Sequence, residues 1–187
     1  MTRVVAISGS LRKASFNTWL VRAAMDLAPP SCAIEVLSIR DVPLYDGDLE
    51  ATTGVPPAVQ SLKNSLAGAD GILLSTPEYN GGIPGVLKNA IDWMSRPAAD
   101  IARVFGERPL ALMGATPGAN GTRFAQQALL QPFRTLGVRL WTEQTLYLAG
   151  ARKVFDPQGQ LIDETVRELV RKFIAGFAAF LERNPRQ

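Results

Sequence analysis

The sequence predicts an α/β domain in which a parallel sheet carries helices on both faces. Three observations lead there: short, continuously apolar runs; intervening segments with helical spacing of apolar residues; and regular alternation of the two along the chain. The runs are 4–7, 34–39, 71–74, 110–113 and 138–141, and each suits a strand buried on both sides. The helical segments are 18–27, 58–67, 85–94 and 123–136. A last helix is the clearest of all. Val166, Leu169, Val170, Phe173, Ile174, Phe177 and Leu181 recur at three- and four-residue steps, a core-facing stripe. Asp163 is placed as its N-cap, and Glu168 can pair with Lys172 on the outer face. Residues 41–57, rich in Pro, Gly and Asp, read as a long surface loop in which Pro43, Tyr45 and Asp46 either close a pocket or simply connect.

Composition bounds the function. The chain has 187 residues, 47% of them hydrophobic and 20% charged, which suits one globular domain over 1–187, and no shift in composition divides it. Basic residues exceed acidic ones by only three and form no dense run, which argues against nucleic acid as a partner. No apolar stretch reaches the roughly 20 residues of a bilayer span. The opening apolar run is too short for a signal peptide and soon meets Arg12 and Lys13, so a soluble, cytoplasmic protein is expected. There is no histidine, which excludes a His-based catalytic triad and removes the usual transition-metal ligand; no metal site is expected. Cys32 stands alone, so neither an internal disulfide nor a CxxC motif is available. Redox chemistry in such a chain needs a borrowed cofactor.

Ligands of open α/β sheets bind beyond the strand ends, where strand order reverses. Three loops there are unusual. The first, 9–17, reads GSLRKASFN and leads into a helix whose free N–H groups favour an anion. Ser10, Ser15 and Asn17 can donate hydrogen bonds to phosphate oxygens, and Arg12 adds charge; the alternative is a solvated turn. Walker and GxGxxG spacings are absent, and the S-x-x-K match at Ser10–Lys13 lacks its companion motifs. The second loop, 76–85, holds Pro77, Glu78, Tyr79, Asn80, Gly81 and Gly82 before Pro84. Its prolines stiffen it, its glycines admit close backbone approach, and Tyr79 offers a flat ring, unless it merely starts the next helix. The third, 114–121, surrounds Thr116 with glycines and is by itself as well explained by an ordinary loop.

Together these residues resemble the NAD(P)H-dependent FMN reductase family, which includes bacterial enzymes described as chromate or quinone reductases. GSLRKASFN is similar to that family's flavin-phosphate loop, and PEYNGGIPGVLKNAIDW, starting at Pro77, to its flavin-ring motif. The resemblance implies a flavodoxin-like three-layer α/β/α sandwich with a five-stranded parallel sheet in the order 2-1-3-4-5. It further implies noncovalently bound FMN, NAD(P)H as electron donor, and a homodimer or homotetramer. Carried onto this chain, it assigns Ser10, Arg12, Ser15, Phe16 and Asn17 to the phosphate and ribityl chain. Pro77, Glu78, Tyr79, Asn80 and Gly81 would line the isoalloxazine, with Ala115, Thr116, Pro117 and Gly118 on its far edge. Gly82 would leave room for the nicotinamide and the acceptor in turn. No catalytic side chain is expected, because hydride transfer between cofactor rings needs orientation rather than an acid or base.

The implied function is ping-pong transfer from NAD(P)H through FMN to a small acceptor: a quinone, free flavin, azo compound or chromate. The alternative is a flavodoxin-type electron carrier without nicotinamide turnover. A carrier relies on strong charge complementarity with protein partners, and the small net charge disfavours it. An arginine at the adenosine 2′-phosphate would favour NADPH; Arg96, Arg103 and Arg108 are candidates whose positions the sequence leaves open.

Overall fold

In a computed structural model describing residues 1–185, β1 (Thr2–Ser8) lies inside the sheet. It pairs in parallel with β2 (Cys32–Leu37) on one side and β3 (Gly71–Ser75) on the other. β4 (Pro109–Ala115) pairs with β3, again in parallel. The fifth position is shared. β5 (Arg139–Leu140) pairs with Pro109 and Leu110, and β6 (Leu146–Leu148) pairs with 113–115 farther along the same strand. The order β2-β1-β3-β4-β5 is the flavodoxin-like one expected, with its outer strand interrupted by 141–145.

Alternation along the strands explains the layers. Val4 and Ala6 face one side of the sheet, where Leu20, Val21 and Ala24 of α1 (Phe16–Asp26) and Phe173, Ile174 and Phe177 of α7 (Glu164–Arg183) cover them. Val5 and Ile7 face the other side. There they meet α3 (Pro57–Ala67) through Val59, Leu62 and Leu66, α4 (Gly85–Met94) through Leu87 and Ile91, and α6 (Arg123–Thr135) through Leu129 and Phe133. Burial on both faces is why the strands read as unbroken apolar runs. Asp163 caps α7 as expected, its Oδ1 accepting the Val166 N–H at 2.9 Å. Leu169 departs from the predicted stripe and is exposed, whereas Val170 is buried. Glu168 does meet Lys172, at 3.8 Å, but its closer partner is Arg171.

The segment expected as a loop contains a short helix, α2 (Gly47–Thr53), capped by Asp46 and burying no residue. It carries no apolar periodicity to reveal it. Contacts with α4 and with Arg96 just beyond it hold the segment instead. The Pro43 carbonyl accepts from Asn89 Nδ2 at 2.8 Å and Trp93 Nε1 at 3.0 Å, and Glu50 accepts from the Tyr45 hydroxyl and from Arg96 Nε, both at 2.9 Å. The Arg96 guanidinium holds the Glu50 carboxyl below its ordinary range.

Two buried cations organise the face bearing α3. Lys63 is fully buried; its ammonium meets the Arg96 carbonyl and lies 2.6 Å from Asp100 Oδ2, beside the short helix α5 (Ile101–Val104). Arg108, also fully buried, donates to the carbonyls of Ala67, Ala69, Arg103 and Val104. Ala67, Arg103 and Val104 lie at the C-terminal ends of α3 and α5, where carbonyls lack helical partners and the helix dipole is negative.

Removing Asp100 would leave the Lys63 charge buried without its carboxylate. Asp100→Ala is expected to cost about 3 kcal/mol in urea unfolding, since stripping one partner from a buried pair is strongly destabilising. Hydrogen bonds from Lys63 and then Arg103 depress the Asp100 carboxyl. Its contribution is therefore full above the ordinary aspartate range and is lost as pH falls through the lower folded value. An unchanged midpoint in the variant would show that the Arg96 carbonyl alone satisfies Lys63.

Candidate active site

The three loops singled out by the sequence leave the C-terminal ends of β1, β3 and β4, which are adjacent in the sheet. Backbone bonds extend the ladder to a common level: Gly9 N–H to the Ser75 carbonyl at 2.8 Å, Thr76 N–H to Met113 at 3.0 Å, and Thr116 N–H to Leu148 at 2.9 Å. The loops therefore start side by side.

Asn17 fastens them together. Its buried amide donates from Nδ2 to the Ala115 carbonyl at 2.9 Å, and its Oδ1 accepts the Ala115 N–H and the Ser75 hydroxyl, each at 2.9 Å. Most of its capacity is thus spent inside the protein, and its main effect is to position the loops. Ser75 was not a sequence candidate, although a hydroxyl ending the apolar run GILL was a readable signal. Ser15 is the N-cap of α1; its Oγ accepts from the Asn17 N–H at 3.2 Å and, marginally, the Thr18 N–H at 3.5 Å, leaving its own hydroxyl proton to donate. Ser10 Oγ accepts the Arg12 N–H at 3.3 Å in the same way. The Phe16 N–H, first in the helix, has no acceptor among the described residues, and the Arg12 guanidinium has no partner there either. Phe16 itself stands edge-on to Trp19, ring centres 5.3 Å apart, and beside Phe155.

The second loop is a hairpin. Tyr79 and Gly82 exchange backbone hydrogen bonds of 3.3 and 3.0 Å around Asn80 and Gly81, whose φ angles are 52° and 71°. Positive φ at both central residues defines a type I′ turn, for which Asn-Gly is the favoured sequence. Positive φ thus belongs to Asn80 and Gly81 and not to Gly82, where an added Cβ would meet only the Tyr79 carbonyl, at 3.8 Å. Glu78 points away to the start of α6, its Oε2 accepting the N–H groups of Phe124 at 2.9 Å and Ala125 at 3.1 Å. α6 receives no cap from its own Thr122 side chain, so a carboxylate from the neighbouring loop serves. In the third loop, Gly118 donates to Thr116 Oγ1, and the Gly118 and Thr116 carbonyls accept from Gly150 and Ala151.

These residues enclose one cavity of about 200 Å³. Ser10, Arg12, Ser15, Phe16 and Asn17 form one wall, Pro77, Glu78 and Tyr79 a second, and Ala115, Thr116 and Pro117 a third. Asn80, Gly81, Gly82 and Gly118 fall outside its lining. Tyr79 is 46% exposed at its edge. The cavity offers an unpaired cation and helix N–H at one end and exposed backbone and an aromatic ring at the other. That is the donor set for a phosphorylated planar heterocycle.

Comparison with known proteins agrees. Residues 2–153 match the family described as NADPH-dependent FMN reductase. The chain belongs to that family. An NAD(P)H-dependent FMN reductase of Pseudomonas aeruginosa is 39% identical over 181 residues, covering 97% of this chain and 96% of its own. A quinone reductase of Escherichia coli K12 is 35% identical over 184 residues, covering 97% and 96%. The solved structure of FerB, a flavoenzyme NAD(P)H:(acceptor) oxidoreductase from Paracoccus denitrificans, superposes with a TM-score of 0.87 at 31% identity, covering 98% of both chains. The chain is therefore an oxidoreductase that uses FMN and NAD(P)H, and the carrier reading gives way to the enzyme. Its site fits the cofactor: Arg12, the Phe16 N–H and the hydroxyls of Ser10 and Ser15 are free to meet a phosphate.

Asn17→Ala would orphan both backbone groups of Ala115. Unsatisfied buried groups cost about 1–3 kcal/mol each, so a loss of about 3 kcal/mol in unfolding free energy is expected. Ser75→Ala, which leaves the amide bonded to Ala115, is expected to cost only about 1 kcal/mol. Equal losses in the two variants would refute the fastening role.

Proposed function

We propose that this protein is a cytoplasmic oxidoreductase that passes electrons from NAD(P)H to a small planar acceptor of the quinone type, in ping-pong order, as a homodimer or homotetramer. Free flavins, azo compounds and chromate are further acceptors compatible with an open site. The observation that carries the reading is the cavity itself, with a free cation at one end and an unobstructed glycine face beyond the other. The names of the quinone-reducing relatives support the acceptor class. FMN, when bound, would supply the redox chemistry that links hydride donation by NAD(P)H to reduction of the acceptor.

The chain's own residues bind, orient and leave space. Arg12, Ser10, Ser15 and the Phe16 N–H hold the phosphate, with Asn17 setting their positions and contributing at most its spare amide proton. Pro77, Glu78 and Tyr79 would border the ring through backbone and the Tyr79 side chain, with Ala115, Thr116 and Pro117 across the cavity; Asn80, Gly81 and Gly118 would approach it only from beyond the lining. Glu78 acts through its backbone, because its carboxylate caps α6. Gly82 keeps the outer face clear, so donor and acceptor occupy it alternately.

Two outcomes follow. Arg12→Ala should weaken FMN about tenfold while changing riboflavin little, the loss expected for an exposed charge-assisted hydrogen bond. Equal weakening of both flavins, measured by fluorescence titration, would remove Arg12 from the phosphate. Gly82→Val should fold and keep FMN, because the position needs no positive φ and has room for a Cβ. Anaerobic reduction should nonetheless slow by about a hundredfold, as misplacing reacting rings by ~1 Å can do. Undiminished reduction in a flavin-loaded variant would exclude this face as the nicotinamide site, and converging rather than parallel steady-state lines in the parent would exclude the ping-pong order.

A further inference from the structure

A second hollow adjoins the flavin cavity across the Ser10–Arg12 ridge, which lines both. It is a groove of about 630 Å³ between α1, the end of β2 and the loop after it. Four cations line it, namely Arg12, Lys13, Arg22 and Arg40, and no carboxylate does. In a chain whose basic excess is only three, that is a marked local concentration. Arg40 is fixed by its bond to the Leu11 carbonyl, whereas the side chains of Arg12, Lys13 and Arg22 have no partner among the described residues. The groove also has an apolar side. Met25 and Val36, 41% and 39% exposed, present uncovered hydrophobic surface within it. A cationic rim beside apolar surface suits a flat base carrying phosphates.

We propose that this groove receives the phosphorylated adenosine half of NADPH and makes the chain select NADPH over NADH. The inference rests on the reductase reading, which puts the nicotinamide end over the adjoining cavity. The two nucleotides differ by one phosphate, a group carrying about −1.5 to −2 charges at neutral pH. Lys13 and Arg22 are the unpaired cations of this groove that do not also line the flavin cavity. They are the specificity residues. The arginines that the sequence left open are otherwise engaged: Arg96 on Glu50, Arg103 on Asp100 and Asn64, and Arg108 in the buried carbonyl cluster.

The test uses FMN-loaded holoenzyme and compares kcat/KM for NADPH and NADH in the parent, Lys13→Ala, Arg22→Ala and Arg22→Glu. The NADPH-to-NADH ratio is expected to fall about tenfold in each alanine variant and further on charge reversal. Adenosine 2′-monophosphate should compete with NADPH in the parent and bind at least tenfold more weakly to Arg22→Glu. Met25→Ala, which touches the part common to both nucleotides, should raise both KM values and leave the ratio unchanged. An unchanged ratio in the cation variants, or loss of FMN from them, would overturn the proposal. A parent that holds FMN but is reduced by neither nucleotide would instead overturn the reductase reading, while normal NADH reduction with an unresponsive ratio would sink the groove alone.

Discussion

One buried amide sets the geometry on which the site depends. Asn17 lies in the first turn of α1, yet its hydrogen bonds go to the ends of β3 and β4. A parallel sheet aligns its strands but does not fix the loops beyond them. A side chain that accepts from two of those strand ends and donates to one removes that freedom. Because the bonds are buried, they are shielded from competition with water, and an imperfect fit would leave polar groups stranded. Ser15 then orients the helix N-terminus, and the unpaired donors beside it stand ready without rearrangement.

Much of this was legible in the sequence, for physical reasons. Doubly covered parallel strands leave unbroken apolar runs, so the strands and their order were readable from pattern and resemblance. The three loops were readable because hydroxyls, a cation, prolines and glycines cluster directly after apolar strands. What escaped was non-local. Glu78 reads as a site carboxylate beside Tyr79, but its partners are N–H groups more than forty residues later. α2 escaped because none of its residues is fully buried, and the Asp46 cap and the bonds of Glu50 to Tyr45 and Arg96 hold it. Asn80-Gly81 between Tyr79 and Gly82 was a legible hairpin signal, and reading it would have separated the conformational glycine from the spacious one.

The cations of this chain sit in unlike settings. Lys63 and Arg108 are buried among carbonyls, and Lys63 also meets a carboxylate; Arg3 and Arg96 pair with glutamates. Arg12, Lys13 and Arg22, by contrast, gather on one side of α1 without partners among the described residues. Net charge hides this division, since opposite charges elsewhere cancel the sum. A field confined to one cleft steers a charged substrate where an evenly spread charge would not.

The divided outer strand bears on how the protein meets others of its kind. An exposed sheet edge is a template for a further strand, and long flat edges invite chains to add to one another. Here β5 offers two residues and β6 three, with a break between them, and the buried Gln126 amide takes the Leu146 carbonyl at 3.2 Å. A newcomer strand would find neither a continuous row of donors and acceptors nor a single register. On this side the fold is finished by interruption, which protects a crowded, newly made chain from sticking to its copies.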